Sequence, residues 1–224
     1  MDEFSQLIIG IIGGTGKEGK GLAYSWAKKG IKIIIGSRNK EKADIAANEV
    51  NLKLKNDNQV IGEENHIAAQ KADLVVLTVP YNAHAAMCRE LAQYLRGKIV
   101  IDVTVPLVPP KVSKVQMPPA GSATQEAQEI LGAEVKVVAA FQNISYENLM
   151  EDTDVDCDVI VCGGNREARD VVIKLVEKTG LKGWDGGPIE NAVVVEGLTS
   201  ILIGINKRYG SKSAGIRITG INKE

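Results

Sequence analysis

GGTGKEG, residues 13–19, decides how the rest of the chain is read. It follows the apolar run LIIGII (7–12) and opens a helix-like stretch, KEGKGLAYSWAKKG, that ends at Gly30 with lysines in its last turn. Gly14, Gly16 and Gly19 thus form G-x-G-x-x-G between a strand and a helix, the setting that gives the pattern physical meaning. The first glycine permits the tight turn, the second lets backbone approach a pyrophosphate, and the third brings helix against strand. Free N–H groups and the positive dipole end of the helix then face the anion. The same letters hold a rival, since Gly14, Gly19 and Lys20 also satisfy G-x-x-x-x-G-K, the start of a P-loop. Gly21 stands where that loop needs Ser or Thr for Mg²⁺, so phosphoryl transfer lacks its metal ligand. Dinucleotide binding is the better reading.

Working outward, KIIIG (32–36) leads into the helix pattern KEKADIAANEVNLKLK. A weak strand at 59–61 precedes a short helix near 63–70, and DLVVLTVP (73–80) precedes a helix around HAAMCRELAQYLRG. KIVIDVTVP (98–106) and EVKVVAAF (134–141) complete a set of strands separated by helices, which indicates βαβ units and a parallel sheet. A proline-rich segment, 107–121, reads as a loop over a site. After Phe141 the pattern changes: an acid-rich loop (EDTDVDCD), a strand at 158–162, the helix NREARDVVIKLVEKTG, a short strand GWDGG and an apolar helix over 189–208. The expected fold class is α/β, an N-terminal Rossmann doubly wound parallel sheet (1–145) with a small C-terminal α/β domain (146–224).

The turn after the second strand chooses between cofactors. An acid normally stands there to hydrogen-bond the ribose 2′-OH of NAD. Here the residues are Ser37 and Arg38, with Lys42 one turn into the next helix. A 2′-phosphate is repelled by an acid but accepts bonds from a hydroxyl, a guanidinium and an ammonium. Basic side chains at a helix N-terminus also oppose its dipole, a mild cost that a ligand would offset. The pattern predicts NADP(H).

Composition excludes several other classes. The chain has 224 residues, 44% hydrophobic and 25% charged, with net charge −1, so a broad nucleic-acid or anionic-membrane surface is not expected. Aromatics are only 4%, too few for base-stacking platforms. Cys88, Cys157 and Cys162 form no CxxC, which fits a reducing cytoplasm better than a disulfide framework or a zinc site. MDEFSQ is unlike a signal peptide, and no apolar run reaches membrane-spanning length.

Dehydrogenase chemistry is harder to find. Tyr24 with Lys28 and Tyr94 with Lys98 each make Y-x-x-x-K, but one pair lies behind the phosphate loop and the other straddles Gly97; both read as coincidence. His66 reads as a surface residue, and His84 as a cap or surface residue near the end of the fourth strand. No grouping of acids, His and Cys suggests a metal. The carboxyl ends of the strands, where ligands bind in open α/β sheets, carry Thr78, Val79, Pro80 and Tyr81, then Val105 and Pro106, then Gln142, Asn143 and Ile144. Such a slot suits nicotinamide beside another flat ring, because hydride transfer between rings needs mainly distance and alignment. The absence of an acid–base residue disfavours alcohol or hydroxy-acid substrates.

IIGGTGKEGKGLA, GSRNKEKA, LTVPYNAHA, IDVTVPLVPP, WDGGPIENA and VEGLTSILIGINKRYG together resemble the NADPH-dependent coenzyme F420 oxidoreductases, nearly from end to end. The resemblance implies NADP(H) in the Rossmann domain, F420 beside the nicotinamide, hydride transfer by proximity with no catalytic side chain, and a cytoplasmic homodimer. It places Gly14, Thr15, Gly16, Lys17 and Glu18 around the pyrophosphate, and Ser37, Arg38 and Lys42 on the 2′-phosphate. Thr78, Val79, Pro80, Tyr81 and Ala85 then edge the path to the nicotinamide, which Val105 touches, while Gln142, Asn143, Ile144 and Tyr146 lie near the deazaflavin. Some members carry a histidine where Gln142 stands. The C-terminal helix offers Val193, Leu198 and Ile201 as core and dimer face, and its basic end (Lys207, Arg208, Lys212, Arg217) is either a solvated terminus or a guide for an anionic tail. Two other readings stay open: an NADPH-dependent flavin or imine reductase, and a non-catalytic NADP(H)-sensing module. Imine reductases of the pyrroline-carboxylate type usually carry a longer helical C-terminal domain than 146–224 provides.

Overall fold

A computed structural model describes the chain except for residues 1–3, 5, 57–58, 151–155 and 222–224. The expected loop EDTDVDCD and the opening MDEFSQ therefore lie partly outside the described residues. Strand β1 (Ile8–Ile12) shows why the sheet forms. Its isoleucines alternate between two helical layers: Ile9 and Ile11 join one buried cluster, Ile12 the other. A strand covered on both faces reads as a continuous apolar run, as parallel strands do.

The chain continues through α1 (Lys17–Ala27), β2 (Lys32–Ser37), α2 (Lys40–Leu54), β3 (Val60–Glu64), α3 (Asn65–Lys71), β4 (Leu74–Leu77), α4 (Tyr81–Leu95) and β5 (Ile99–Asp102). It then runs through α5 (Ala123–Leu131), β6 (Lys136–Ala139), α6 (Tyr146–Met150), β7 (Asp158–Gly163), α7 (Arg166–Lys178) and β8 (Lys182–Gly187). A single 3₁₀ turn, Ile189–Asn191, precedes α8 (Ala192–Tyr209). One eight-stranded sheet results, in the order β3-β2-β1-β4-β5-β6-β7-β8. Helices α1, α2 and α7 cover one face through Leu22, Trp26, Ala43, Val50, Val172 and Leu175. The other face is covered by α3, α4 and α5 through Ala68, Met87, Leu91, Leu95 and Ala127.

The topology locates the cleft. From β1 the chain winds outward to β2 and β3, then returns to lay β4 on the other side of β1. At this switch point the connections leave in opposite directions and open a crevice at the strands' carboxyl ends. The boundary expected at 145 falls between β6 and β7, where strand direction reverses: Val138 pairs antiparallel with Gly163. Strands β7 and β8 nevertheless extend the same sheet.

Three details differ from the sequence reading. Helix α5 is an element the sequence reading did not assign, between the proline-rich loop and the strand at 134–141; Ser122 caps it, accepting a bond from Gln125 N–H at 3.0 Å. The buried stripe of α8 is Ala192, Val195, Glu196, Gly197, Ser200 and Leu202 rather than Val193, Leu198 and Ile201, and Ile201 is 51% exposed. The segment Ile189–Tyr209 is also long and apolar enough to cross a membrane, contrary to expectation. Its middle, however, carries the buried carboxylate of Glu196. That carboxylate accepts bonds from Ala123 N–H (2.7 Å), Thr124 N–H (3.0 Å) and Thr124 Oγ1 (2.8 Å), tying α8 to the first turn of α5.

Candidate active site

The glycine loop is built by close approach. Gly13 has φ +70°, and a Cβ there would lie 2.6 Å from Val79 Cγ1, so the turn can pass the segment after β4 only without a side chain. A Cβ on Gly19 would lie 2.5 Å from Gly14 Cα, which is the close helix-to-turn packing the motif requires. Gly16, the N-cap of α1, faces open space instead, and has no side-chain cap. The helix N-terminus is thus left free for a ligand. Asn65, which the sequence reading passed over, braces the turn: its buried Oδ1 accepts from Gly13 N–H at 3.2 Å.

Beside the loop lies a hollow of about 360 Å³. Ser37, Arg38 and Lys42 come together along its edge with Gly13, Thr15 and Asn39, and Ala83, Ala86 and Met87 of α4 form the opposite wall. The local fold is held by side chains. Ser37 Oγ accepts from Asn39 N–H at 3.2 Å, and Asn39 Oδ1 caps α2 by accepting from Lys42 N–H at 3.0 Å. Arg38 and Lys42 are exposed at the edge of the hollow, whose lining also includes Glu90 of α4.

A second hollow, of about 320 Å³, adjoins the first and shares Val79 and Pro80 with it. Thr78, Tyr81, Val105, Gln142 and Ile144 line it together with Val103, Thr104, Leu107, Phe141 and Thr199. Phe141 holds φ 71°, an uncommon conformation for a side chain of its size, and packs edge-on against Trp26 at 5.7 Å. Strain of this kind persists only where the surroundings over-determine it. Gln142 Nε2 donates to the Asp102 carbonyl at 2.7 Å, so its Oε1 is left buried without a partner.

Glu18, expected near the pyrophosphate, lines this second hollow and not the first. Part of the residue reaches the surface, but Oε1 is sealed from solvent and unpartnered. Burial pushes the carboxyl up to about 8. The slot is therefore not free of acid–base groups.

Beneath it lies a buried pair. His84 is fully buried rather than a cap or surface residue, because its position on α4 puts it in line with Met87, Cys88, Leu91 and Leu95. Its Nε2 bonds Asp102 Oδ2 at 2.8 Å. Burial opposes the imidazolium, but the Asp102 carboxylate outweighs it and holds His84 up to about 11. Asp102 Oδ1 also accepts from Thr104 N–H at 3.0 Å, fixing the strand end whose carbonyl orients Gln142.

Other expected residues stand elsewhere. Asn143 is buried and structural: its Nδ2 donates to Val195 O (2.8 Å) and Thr199 Oγ1 (3.1 Å), anchoring α8. Thr199 Oγ1 donates in turn to Gln142 O at 2.8 Å. Lys17 and Tyr146 meet each other, Nζ to Oη at 2.9 Å, outside both hollows. Ala85 lines neither, its neighbours Ala83 and Ala86 facing the first. Of the Y-x-x-x-K lysines, Lys98 donates to Ala69 O at 2.7 Å at the end of α3. At the basic C-terminal end, Arg217 pairs with Asp156 at 2.6 Å.

Residues 8–106 match the family described as NADP oxidoreductase, coenzyme F420-dependent. The F420-dependent NADP reductase of Methanocaldococcus jannaschii is 43% identical over 222 residues, covering 95% of this chain and 98% of that protein. The enzyme of the same name from Methanothermobacter thermautotrophicus is 38% identical over 223 residues, 96% of each chain. Among solved structures, one from Arthrobacter sp. FB24 described as an F420-dependent NADP-reductase aligns with TM-score 0.79 at 24% identity, covering 96% of this chain and all of that one. A pyrroline-5-carboxylate reductase from Coxiella burnetii aligns with TM-score 0.55 at 17% identity, over 81% of this chain and 60% of its own. At these identities the two structures speak for the fold.

Proposed function

Because the chain belongs to the family of coenzyme F420-dependent NADP oxidoreductases, we propose that its two adjoining hollows hold the two reactants of a hydride exchange, NADP(H) and coenzyme F420. The enzyme is an oxidoreductase, reducing F420 with NADPH and running in reverse with NADP⁺. Bound there, the nicotinamide ring supplies or receives the hydride and the deazaflavin ring is its counterpart. The residues present fit these groups: an uncapped helix N-terminus for the pyrophosphate, exposed cations for a phosphate, and orphaned polar atoms in a ring-sized slot.

Thr15 and Gly16 position the pyrophosphate through the turn's backbone. Ser37, Arg38 and Lys42 take the 2′-phosphate. Thr78, Val79, Pro80, Tyr81 and Val105 line the path of the nicotinamide, and Gln142, Ile144 and Thr199 the deazaflavin side. Residues 146–224 act as a smaller unit that closes this side of the cleft, α8 contributing Thr199. The enzyme works as a cytoplasmic homodimer without nucleic-acid or membrane partners. Exposed Val194, Ile201 and Ile205 on α8 support the dimer, and three free, buried cysteines support the compartment.

One observation carries the reading. Both hollows share Val79 and Pro80, so a dinucleotide anchored at Arg38 reaches the second hollow without leaving the cleft. The test is deazaflavin absorbance with NADPH and F420 at catalytic protein concentration, with free FMN as control. Rapid F420 reduction with FMN inert is expected. Saturable NADPH binding without F420 turnover would refute the assignment of the acceptor.

A further inference from the structure

The ring hollow contains a carboxyl that hydride transfer between two rings does not by itself explain. Glu18 sits in the first turn of α1, where an acid is normally favoured as a carboxylate by the dipole. Its Oε1 is instead sealed and unpartnered, and the residue forms part of the wall of the hollow assigned above to the reacting rings. An unpartnered buried carboxylate is costly, whereas a neutral carboxyl is much less so. The nicotinamide ring changes charge in the reaction: it is neutral in NADPH and cationic in NADP⁺. A cation beside a buried carboxyl favours its ionised form.

Resting on the proposed NADP(H) and F420 reading, we propose that Glu18 is the site's proton carrier, holding a proton on its carboxyl while the ring beside it is neutral NADPH and releasing it when that ring becomes cationic NADP⁺. The balance closes within the hollow. The dihydronicotinamide gives up a hydride, one hydrogen nucleus with two electrons, and the deazaflavin takes that hydride on carbon. The deazaflavin also takes one proton on a ring nitrogen, and Glu18 releases one proton from its carboxyl. The products are reduced deazaflavin and NADP⁺ facing the Glu18 carboxylate, which recovers a proton from water when NADP⁺ leaves.

The surroundings leave Glu18 free to respond to the ring. Burial alone lifts its carboxyl to about 8. On its own helix Lys17 is turned to Tyr146 of α6, next to Glu147, and Lys20 is paired with Glu49 of α2. Across the hollow Tyr81 of α4 is the other titratable wall residue; its phenol is raised by burial and then by Glu126. Asp102 at the end of β5 is engaged by His84, and Glu196 of α8 by the first turn of α5. Among the described residues, no cation is recorded bonded to Glu18.

The experiment is calorimetric titration of the full chain with NADP⁺ and separately with NADPH, in buffers of different ionisation enthalpy, from neutral pH to above the Glu18 value. Both nucleotides carry the same titrating 2′-phosphate, so the difference between them isolates the ring. NADP⁺ should release close to one proton more than NADPH near neutral pH. Its affinity relative to NADPH should rise by up to tenfold per pH unit and level off above about 8. Glu18→Gln should abolish both differences while still binding NADPH. Equal proton release for the two nucleotides in the wild type, or a difference that survives in Glu18→Gln, overturns the proposal. Failure to bind either nucleotide would overturn the NADP(H) reading itself, and the inference with it.

Discussion

Arg38→Ala should separate NADPH from NADH. Arg38 is exposed at the edge of the first hollow, and Ser37 is buried just behind it. Two unit charges roughly 4 Å apart gain about 1 kcal/mol in bulk water and about 4 kcal/mol at a protein surface. A charge-assisted hydrogen bond measured by deletion gives about 1.5–3 kcal/mol, inside that interval. At about 1.4 kcal/mol per decade, NADPH should bind Arg38→Ala roughly 10- to 150-fold more weakly. NADH, lacking the phosphate, should lose little. Fluorescence titration with both nucleotides at low and high ionic strength is the assay, and the wild-type preference for NADPH should shrink with salt, since exposed charges are screened. Equal losses for both nucleotides would refute the reasoning, because Arg38 would then be supporting the fold and not reading a phosphate. Ser37→Asp is the converse: a carboxylate there repels the 2′-phosphate and accepts from a 2′-OH, so it should turn the preference toward NADH.

Three further outcomes test the scaffold. Gly19→Ala would bring a Cβ to 2.5 Å from Gly14 Cα, forcing helix and turn apart; NADPH binding should fall more than thermal stability does, and unchanged affinity would contradict the close-packing argument. His84→Leu leaves Asp102 buried and unpaired, which should cost about 3–5 kcal/mol in urea unfolding. Because Asp102 raises His84, the pair's contribution is complete below the ordinary imidazole value of about 6.5 and is lost as pH climbs toward about 11; a pH-independent difference between wild type and variant would refute it. Glu196 has the same sign in a lower window: burial lifts it from 4.5 to about 7, so wild-type stability relative to Glu196→Gln should decline as pH rises through that window. An increase would show that its three hydrogen bonds outweigh burial.

Most of the sheet was legible because parallel strands covered on both faces must be apolar throughout, and LIIGII, KIIIG and DLVVL are. The cap of α5 was legible too: Ser122 and Gln125 form S-x-x-Q, a capping-box pattern, although no element was assigned between the loop ending at 121 and the strand at 134–141. His84 lies at helical spacing from Met87, Cys88, Leu91 and Leu95, so the apolar stripe itself announced a buried histidine. Its partner was not announced. Asp102 ends β5, the strand that follows α4, and no sequence pattern links the two.

Orientation is what the string of letters withholds. Gln142 and Asn143 are adjacent amides, yet one faces the ring hollow and the other fastens α8, because the backbone turns at Phe141. Glu18 stands beside Lys17 in the loop, yet one points into the slot and the other out to Tyr146. Ser37, Arg38 and Lys42 come together on the first hollow because they share one short turn, where local geometry leaves few choices. The second draws its wall from α1, β4, β5, the turn after β6 and α8, brought together only by the winding of the sheet. That is why a slot that looked chemically inert in sequence contains an acidic carboxyl and a fixed amide acceptor. The Gln142 amide is held in one orientation by the Asp102 carbonyl, which leaves its Oε1 buried without a partner, an arrangement set by a strand 40 residues earlier that no local pattern announces.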